Sequence, residues 1–274
     1  DQLQFEGEVR SLTGPFRGKG AFINAGNAYG YTVSAGRYGA EGVRLRLGLN
    51  TDERPLSVEA DGMLSFERTV PSFDGNLTLA RPVGVISASG KVTAQEPWRL
   101  TSRLKLTHKS ALMDQVSFQY GPEERAVKLD GAAEFKFGEQ PRLEGTLSAR
   151  QVDLDRVLAT PEMPRRLPFA AIQALGEMLG SAIRPSFPTT LRIGIDAATV
   201  GGAPLQAIGG DLRSDGSAWY LDKLEFRAPG FTQVRLRGRL DPVGGGLGYS
   251  GAASVEANDP IALVSWLGGR SGVV

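Results

Sequence analysis

The sequence predicts a mainly β protein built from repeated antiparallel hairpins. Apolar and polar residues alternate over most of the 274 residues, which is the pattern of strands with one buried face. Glycine and proline stand between the alternating segments, as they do at turns of β-sheets. One alternating phrase that stops at a glycine occurs three times, and such self-similarity indicates a stacked structural unit.

The repeated phrase is followed each time by a second alternating segment. Two strands so close in sequence predict a hairpin. The three copies of the phrase and their answering segments are residues 55–62 with 75–79, 125–131 with 145–149, and 232–238 with 251–255.

These hairpins predict one elongated, repeat-built β domain over residues 1–274. The expected repeat units cover about 43–85, 112–158 and 219–267. The third unit is displaced from the second by an insertion, which we place at about 154–188.

Other segments also alternate, with one aliphatic face and one polar or charged face. This pattern is typical of an antiparallel sheet with one dry and one wet side. We expect a long curled sheet or groove, with a closed β-sandwich as the alternative. The additional predicted strands are residues 3–9, 19–24, 29–35, 43–49, 100–106, 116–120, 191–195, 224–227 and 233–240.

The insertion contains one amphipathic helix, predicted over residues 167–183. Pro168 suits its first turn, and prolines beyond residue 183 end the pattern. We expect the helix to dock over the apolar sheet surface as a lid. The apolar residues at helical spacing are Phe169, Ile172, Leu175 and Leu179.

Two short capping helices are predicted after strands. Asp153 precedes the first of them, and Asp259 precedes the second, where Pro260 takes the first helical position and Gly268 ends the helix. Asp153 and Asp155 form a potential acid pair, but their place before an apolar helical segment favours a capping role.

Composition excludes several function classes. Lys and Arg number 31 against 30 acidic residues, so the basic excess of a nucleic-acid-binding protein is missing. The chain contains no cysteine, which removes disulfides and thiolate chemistry. No apolar run approaches the ~18 residues of a membrane span. Because the chain begins at Asp1 without a targeting segment, we expect a fragment of a longer protein whose targeting segment lies outside this chain.

No motif predicts catalysis, a cofactor or a metal. Residues 246–251 match G-x-G-x-x-G, but the following residues alternate like a strand, whereas a dinucleotide site needs a helix there. His108 is the only histidine and lies in a polar segment without a partner motif. Arg165 and Arg166 precede the main helix, and two readings stay open for them: a solvated pair, or a contact to lipid headgroups.

The alternating stripes themselves are the candidate binding surface. They consist of aliphatic side chains, which offer no directional hydrogen bonds and suit either a closed core or acyl chains. Their polar neighbours, such as Arg44, Glu59 and Arg235, should point to water. The predicted lipid-facing residues are Leu45, Leu47, Val58, Val127, Leu129, Leu147, Val234 and Leu236.

Residues 118–131, 141–155, 210–216 and 226–240 resemble the AsmA-like family, the AsmA/TamB-type repeat proteins of the Gram-negative envelope. The resemblance extends over most of residues 43–267. It implies a periplasmic β-sheet curled into a groove, an inner-membrane anchor outside this chain, and a role in moving phospholipid during outer-membrane biogenesis.

Two function classes follow from these observations. The first is a non-enzymatic, periplasmic lipid-binding or lipid-transfer scaffold that holds phospholipid acyl chains on the apolar face of the sheet. The second is a structural or interaction module of the cell envelope with a closed β-sandwich core and protein partners. An enzyme such as a glycosidase ranks third, because the sequence presents no cleft carboxylate pair.

Overall fold

A computed structural model describes most of the chain as strands. The described residues are 3–9, 15–24, 27–51, 56–67, 69–81, 97–159, 163, 165–182, 187–243 and 246–269. They divide into two compact units. Unit 1 consists of Asp1–Glu123 with Lys136–Gly138, and unit 2 consists of Glu124–Phe135 with Glu139–Val274.

Unit 1 is a single sheet in which each strand pairs antiparallel with the next strand of the chain. This is the hairpin arrangement that the alternating segments predict. The strands are β1 (Leu3–Val9), β2 (Phe16–Asn24), β3 (Asn27–Ala35), β4 (Val43–Thr51), β5 (Ser57–Glu67), β6 (Val70–Arg81), β7 (Trp98–Leu106) and β8 (Ser110–Tyr120).

Unit 2 is also a single sheet, with its strands side by side in chain order. Apart from Lys136, it consists of β9 (Val127–Lys136), β10 (Arg142–Asp153), β11 (Thr189–Val200), β12 (Ala203–Ser214), β13 (Trp219–Ala228), β14 (Thr232–Val243), β15 (Gly246–Glu256) and the helices α1 (Leu154–Val157), α2 (Pro168–Ala182) and α3 (Pro260–Leu267).

The insertion explains the one parallel pair among the registers of unit 2. β10 and β11 run parallel, whereas β11 to β15 pair antiparallel. Parallel neighbours need a crossover connection, and α1 and α2 lie in that connection. The prediction of a mainly β fold with one longer helix and short helices is therefore confirmed. In neither unit do the described residues form a second sheet layer, so the closed sandwich is wrong.

The repeated glycines lie where neighbouring strands approach each other closely. Gly62 lies directly opposite Gly75, and Gly238 directly opposite Gly251. A Cβ added to Gly75 would lie 2.5 Å from the Cα of Gly62, and one added to Gly238 would lie 2.8 Å from the Cα of Gly251. A Cβ at either position would overlap the backbone of the opposite strand, so a glycine is required there.

A cluster of buried apolar residues lies at one end of the sheet of unit 2. Val200, Leu205 and Ala228 form a cluster there with Ala171 of α2 and Trp266 of α3. The indole Nε1–H of Trp266 donates a hydrogen bond of 2.8 Å to the Val200 carbonyl. In unit 1 the buried apolar residues are Phe73, Leu104 and Val116, on β6 to β8.

The predicted docking face of the long helix is wrong in part. α2 forms as predicted, but Phe169 and Ile172 are each more than half exposed, while Pro168 and Ala171 are buried. Small side chains let the helix approach the sheet closely, and the larger ones then face outward. Leu175 is half-buried, and the side chain of Leu179 lies outside the described residues. The helix packs against β15 and turns Pro168 and Ala171, rather than Phe169 and Ile172, toward its buried side.

Within the part of the chain that is described, no helix has the length and apolar character needed to cross a membrane.

Candidate functional site

The apolar residues of unit 2 line up in rows that cross the sheet. Residues paired across neighbouring strands point to the same face, so the register identifies each row. One row crosses six strands from β10 to β15 and contains two of the predicted lipid-facing residues. It consists of Leu147, Ile193, Gly210, Leu224, Leu236 and Ala253.

The remaining predicted residues of unit 2 share this face. Val234 lies opposite Phe226 and Val255, in the neighbouring row. Val127 and Leu129 alternate on β9 with exposed Lys128. Ala133 points to the same side of β9 as these two residues, and its Cβ is 3.6 Å from a Cβ built on Gly145. Gly145 is two positions before Leu147 on β10, so it lies on the face that Leu147 shares.

Unit 1 has equivalent rows. One contains Leu47, and the next contains Val58 opposite Leu49 and Leu79. Leu45 extends the same face toward Gly62. The row through Leu47 crosses from β2 to β7 and consists of Gly18, Val33, Leu47, Ala60, Leu77 and Ser102.

The exposure of these side chains shows that nothing in either unit covers them fully. Seven of the eight predicted lipid-facing residues are half-buried, and Leu47 is 42% exposed. A residue between two closed layers would lose nearly all its contact with water. The rows therefore form an apolar face that stays open to a ligand or to solvent.

Two shallow cavities lie on the sheet of unit 2 along the first row. The smaller, of about 300 Å³, is lined by Leu224, Leu236 and Ala253 among others. The larger, of about 370 Å³, includes Leu147 and Ile193. These volumes are at the lower end of the range for small-molecule pockets, and charged residues, Lys223 among them, also border both cavities.

In unit 1, the face of the sheet opposite the apolar rows carries cross-strand ion pairs. Arg44 and Arg46 both contact the carboxylate of Asp61, at 3.0 and 2.5 Å. Hydrogen bonds from Arg44, and then from Arg46, lower the pKa of Asp61 to about 2. Arg103 pairs with Asp74 on the same face.

Unit 2 repeats this pattern on its polar face. Arg192 pairs with Asp211, and Arg235 with Glu256. Because charged groups lose free energy of hydration on burial, this face of the sheet stays exposed to water and the apolar face is the one that can be covered. The predicted outward direction of Arg44, Arg46, Glu59, Lys128 and Arg235 is confirmed, because all five are exposed.

One buried polar group interrupts the apolar face of unit 1. The Ser102 hydroxyl lies opposite Leu77 and has no hydrogen-bond partner among the described residues. An unpaired hydroxyl in apolar surroundings is costly, so Ser102 offers a single polar contact within an otherwise aliphatic stripe.

The two acids of the insertion have different roles. Asp153 caps α1 by accepting a hydrogen bond of 3.0 Å from the Arg156 amide, as predicted. Asp155 instead accepts hydrogen bonds from the amides of Gly201 and Gly202, at 2.7 and 2.6 Å. Its carboxylate thus fastens α1 to the turn between β11 and β12. Sequence reasoning missed this role, because the contact joins residues 46 and 47 positions apart.

The arginines before α2 are not equivalent. Arg166 donates a hydrogen bond of 3.1 Å to the Leu158 carbonyl just beyond α1, so it has a structural partner. Arg165 is exposed, and its guanidinium lies over Gly202.

The other candidate motifs lie in turns, strands and helix caps. His108 is exposed in the turn between β7 and β8, and the G-x-G-x-x-G segment lies within strand β15, which continues to Glu256, so no helix begins directly after it. Asp259 and Gly268 cap α3 as predicted. Among the described residues, no group of three or more His, Asp or Glu side chains is arranged to hold a metal ion.

Structurally, each unit is an open β-sheet with an apolar face and a charged opposite face. No family model, no curated protein and no solved structure matches the chain. The resemblance to the AsmA-like family therefore depends on the sequence segments named above.

Proposed function

We propose that this protein is a non-enzymatic lipid-binding or lipid-transfer scaffold that holds phospholipid acyl chains on the apolar face of its curled sheet. The observation that carries the proposal is the row from Leu147 to Ala253. It is continuous across six strands, and its predicted lipid-facing members are half-buried.

The physical reason is that an uncovered apolar face is unfavourable in water. Each CH₂ group removed from water contributes about 0.8 kcal/mol. A saturated acyl chain lying along a row would remove both its own apolar surface and that of the sheet from water, which favours binding. Aliphatic rows offer no directional hydrogen bonds, so they select for apolar character and shape. Polar ligands such as sugars or nucleotides would lose their hydrogen bonds there.

The proposal includes a cellular setting. We propose a periplasmic location, tethered to the inner membrane by a segment outside this chain, and a contribution to outer-membrane biogenesis in an AsmA-like role. Fractionation of cells that produce the full-length protein tests this setting. Recovery in the cytoplasm would contradict it without affecting the lipid-binding proposal.

The direct test is extraction of the pure protein with organic solvent, followed by mass spectrometry. We expect phospholipid at near-stoichiometric amounts. Protein that carries no lipid and takes up none from vesicles would overturn the proposal and favour an interaction module of the envelope instead.

A substitution of Leu129 by Asp distinguishes an open face from a closed core. On an open face the carboxylate stays hydrated, so the variant should fold and lose most of its bound lipid. In a closed core the unpaired charge would destabilise the protein by several kcal/mol. Lipid content and thermal melting are measured on the same sample.

The neighbouring residue provides the matched control. Lys128 is exposed on the polar face of the same strand, so Lys128→Asp introduces the same carboxylate on the opposite side. This variant should keep its lipid. A folded Leu129→Asp protein with undiminished lipid content would refute the proposed binding face.

A further inference from the structure

Three of the four most exposed large apolar side chains among the described residues of unit 2 lie together at one end of its sheet. Phe231 is 84% exposed, Ile261 81% and Val264 65%. Phe231 belongs to the turn between β13 and β14, and the other two belong to α3. Three large apolar groups that protrude into water in one place indicate an interaction surface. We call Phe231, Ile261 and Val264 the apolar tip.

The backbone connects the two parts of the apolar tip. The amide of Asp259, the N-cap of α3, donates a hydrogen bond of 3.0 Å to the carbonyl of Gly230. Phe231 follows Gly230 directly, so the turn and the start of α3 are joined next to it. Ile261 and Val264 are three positions apart and thus share one side of α3, while Trp266 is buried on the side facing the sheet.

Phe231 has a conformation that an aromatic residue rarely adopts. Its φ is +49°, and that of Gly230 is +77°. Such turns favour glycine or asparagine at these positions, and a bulky residue there carries backbone strain. The turn is nevertheless well held, because Thr232 is fully buried and its hydroxyl donates a hydrogen bond of 2.8 Å to the Pro229 carbonyl. The fold therefore presents a phenylalanine at a position where local stability favours another residue.

The topology brings cationic groups to the same end. β10 ends there and leads into α1, and the turn between β11 and β12 lies there as well. Arg156 and Arg165 are exposed on this end. The acids of the same region have partners: Asp153, Asp155 and Asp259 accept hydrogen bonds from backbone amides, and Glu256 pairs with Arg235. The guanidinium groups are therefore the charged groups best placed to meet phosphate.

From the protruding apolar side chains and the adjacent arginines, we propose that this end of unit 2 docks on the surface of a phospholipid bilayer. The apolar tip inserts below the headgroups, and Arg165 and Arg156 contact lipid phosphates. A protruding tip needs no complementary pocket in a fluid interface, whereas a protein partner or a second copy would have to supply one. Basic residues beside apolar side chains are the combination that binds membrane interfaces. This docking does not require the sheet to hold acyl chains.

The test is co-sedimentation of the protein with vesicles of phosphatidylcholine alone and of phosphatidylcholine with phosphatidylglycerol. We expect binding that increases with the anionic lipid. Phe231→Asn should weaken vesicle binding about tenfold while preserving or raising the melting temperature, because asparagine tolerates a positive φ. This opposite response of binding and stability is not expected of a merely structural residue.

Four further variants complete the experiment. Val264→Ser should also weaken binding, and Phe66→Ser, at a half-exposed phenylalanine of unit 1, should not. Arg165→Gln should reduce the gain from anionic lipid by a few-fold, and Lys105→Gln, at an exposed lysine of unit 1, should leave it unchanged. Equal binding by wild type and Phe231→Asn would overturn the proposal. The proposal would also be overturned if the wild-type protein does not bind vesicles but forms a dimer, and Phe231→Asn abolishes that dimer.

Leu129→Asp separates this inference from the proposed function. If the sheet binds acyl chains and the tip docks on membranes, the variant loses extracted lipid but keeps its vesicle binding. If both properties are lost in the folded variant, the vesicle signal comes from the sheet, and the docking proposal is wrong.

Discussion

Asp61 shows how single side chains determine which side of the sheet faces water. It lies on β5, and Arg44 and Arg46 both reach it from β4. The alternation of charged and aliphatic residues was sufficient to predict the outward direction of both arginines. Their shared acid was not predictable, because it depends on the register that aligns Arg46 with Asp61.

The pKa of Asp61 gives a prediction with a defined pH range. Because its pKa is lower in the folded state, about 2, than the unfolded value of about 4, the ion pairs stabilise the fold above pH 4. This contribution is lost as the pH falls from 4 to 2. NMR titration of the carboxyl group should show a midpoint near 2 that moves toward 4 in Arg44→Gln. A midpoint that is the same in both proteins would contradict the pairing.

Asp155 provides a prediction about stability. Its carboxylate accepts hydrogen bonds from two turn amides, so Asp155→Ala should lower the free energy of unfolding by about 1–3 kcal/mol. Asp153→Ala, which removes only the cap of α1, should cost about 1 kcal/mol. Denaturant unfolding of both variants tests the order. A larger loss for Asp153→Ala would mean that the turn does not depend on Asp155.

At the scale of elements, the repeated phrase ends where two neighbouring strands approach each other closely. The sequence shows that each phrase ends at a glycine but does not explain why. The structure provides a reason in two copies, where Gly62 faces Gly75 and Gly238 faces Gly251. In the remaining copy a Cβ on Gly131 would meet the backbone of Thr146 and Leu147. In all three, the strands approach too closely for a side chain.

Gly238→Ala should therefore destabilise unit 2, by about 1–3 kcal/mol as overpacked sites do. A methyl group there would meet the backbone of Ser250 and Gly251, which cannot move aside as a flexible side chain can. Gly194→Ala is the matched control, since a Cβ at Gly194 meets nothing within 4 Å. Thermal melting compares the two. If both variants melt alike, the close approach at Gly238 is not a constraint on the fold.

The helices show where sequence patterns lose their predictive value. Their positions follow from local signals, so α2 and the caps of α3 are predictable from prolines, aspartates and apolar spacing. The side on which a helix packs depends on what lies beneath it. Helical spacing pointed to Phe169 and Ile172, but the available space at the end of the sheet suits Pro168 and Ala171. β12 escaped prediction because Ala207 adopts φ +51° and two glycines follow it, which interrupts the alternation.

At the scale of the molecule, each unit combines a hydrated face with an apolar face that, among the described residues, no second sheet covers. Period-2 alternation predicts this division for every strand, since it requires only local sequence. Whether the apolar face closes on itself was not predictable, because closure depends on strand order and curvature. The half-buried state of Leu129 and Leu236, and the exposure of Leu47, are properties that only the assembled sheet reveals.

An apolar face of this kind couples the stability of the whole protein to its ligand. A lipid that binds only the folded state raises the free energy of unfolding by RT ln(1 + [L]/Kd), about 2.7 kcal/mol at a hundredfold excess over Kd. Delipidated protein should therefore melt at a lower temperature, and added phospholipid should restore the value in a concentration-dependent manner. Leu129→Asp should respond far less, while Lys128→Asp should behave like the wild type. A melting temperature that is the same with and without lipid, in protein shown to carry lipid when isolated, would mean that the chains bind elsewhere than on this face.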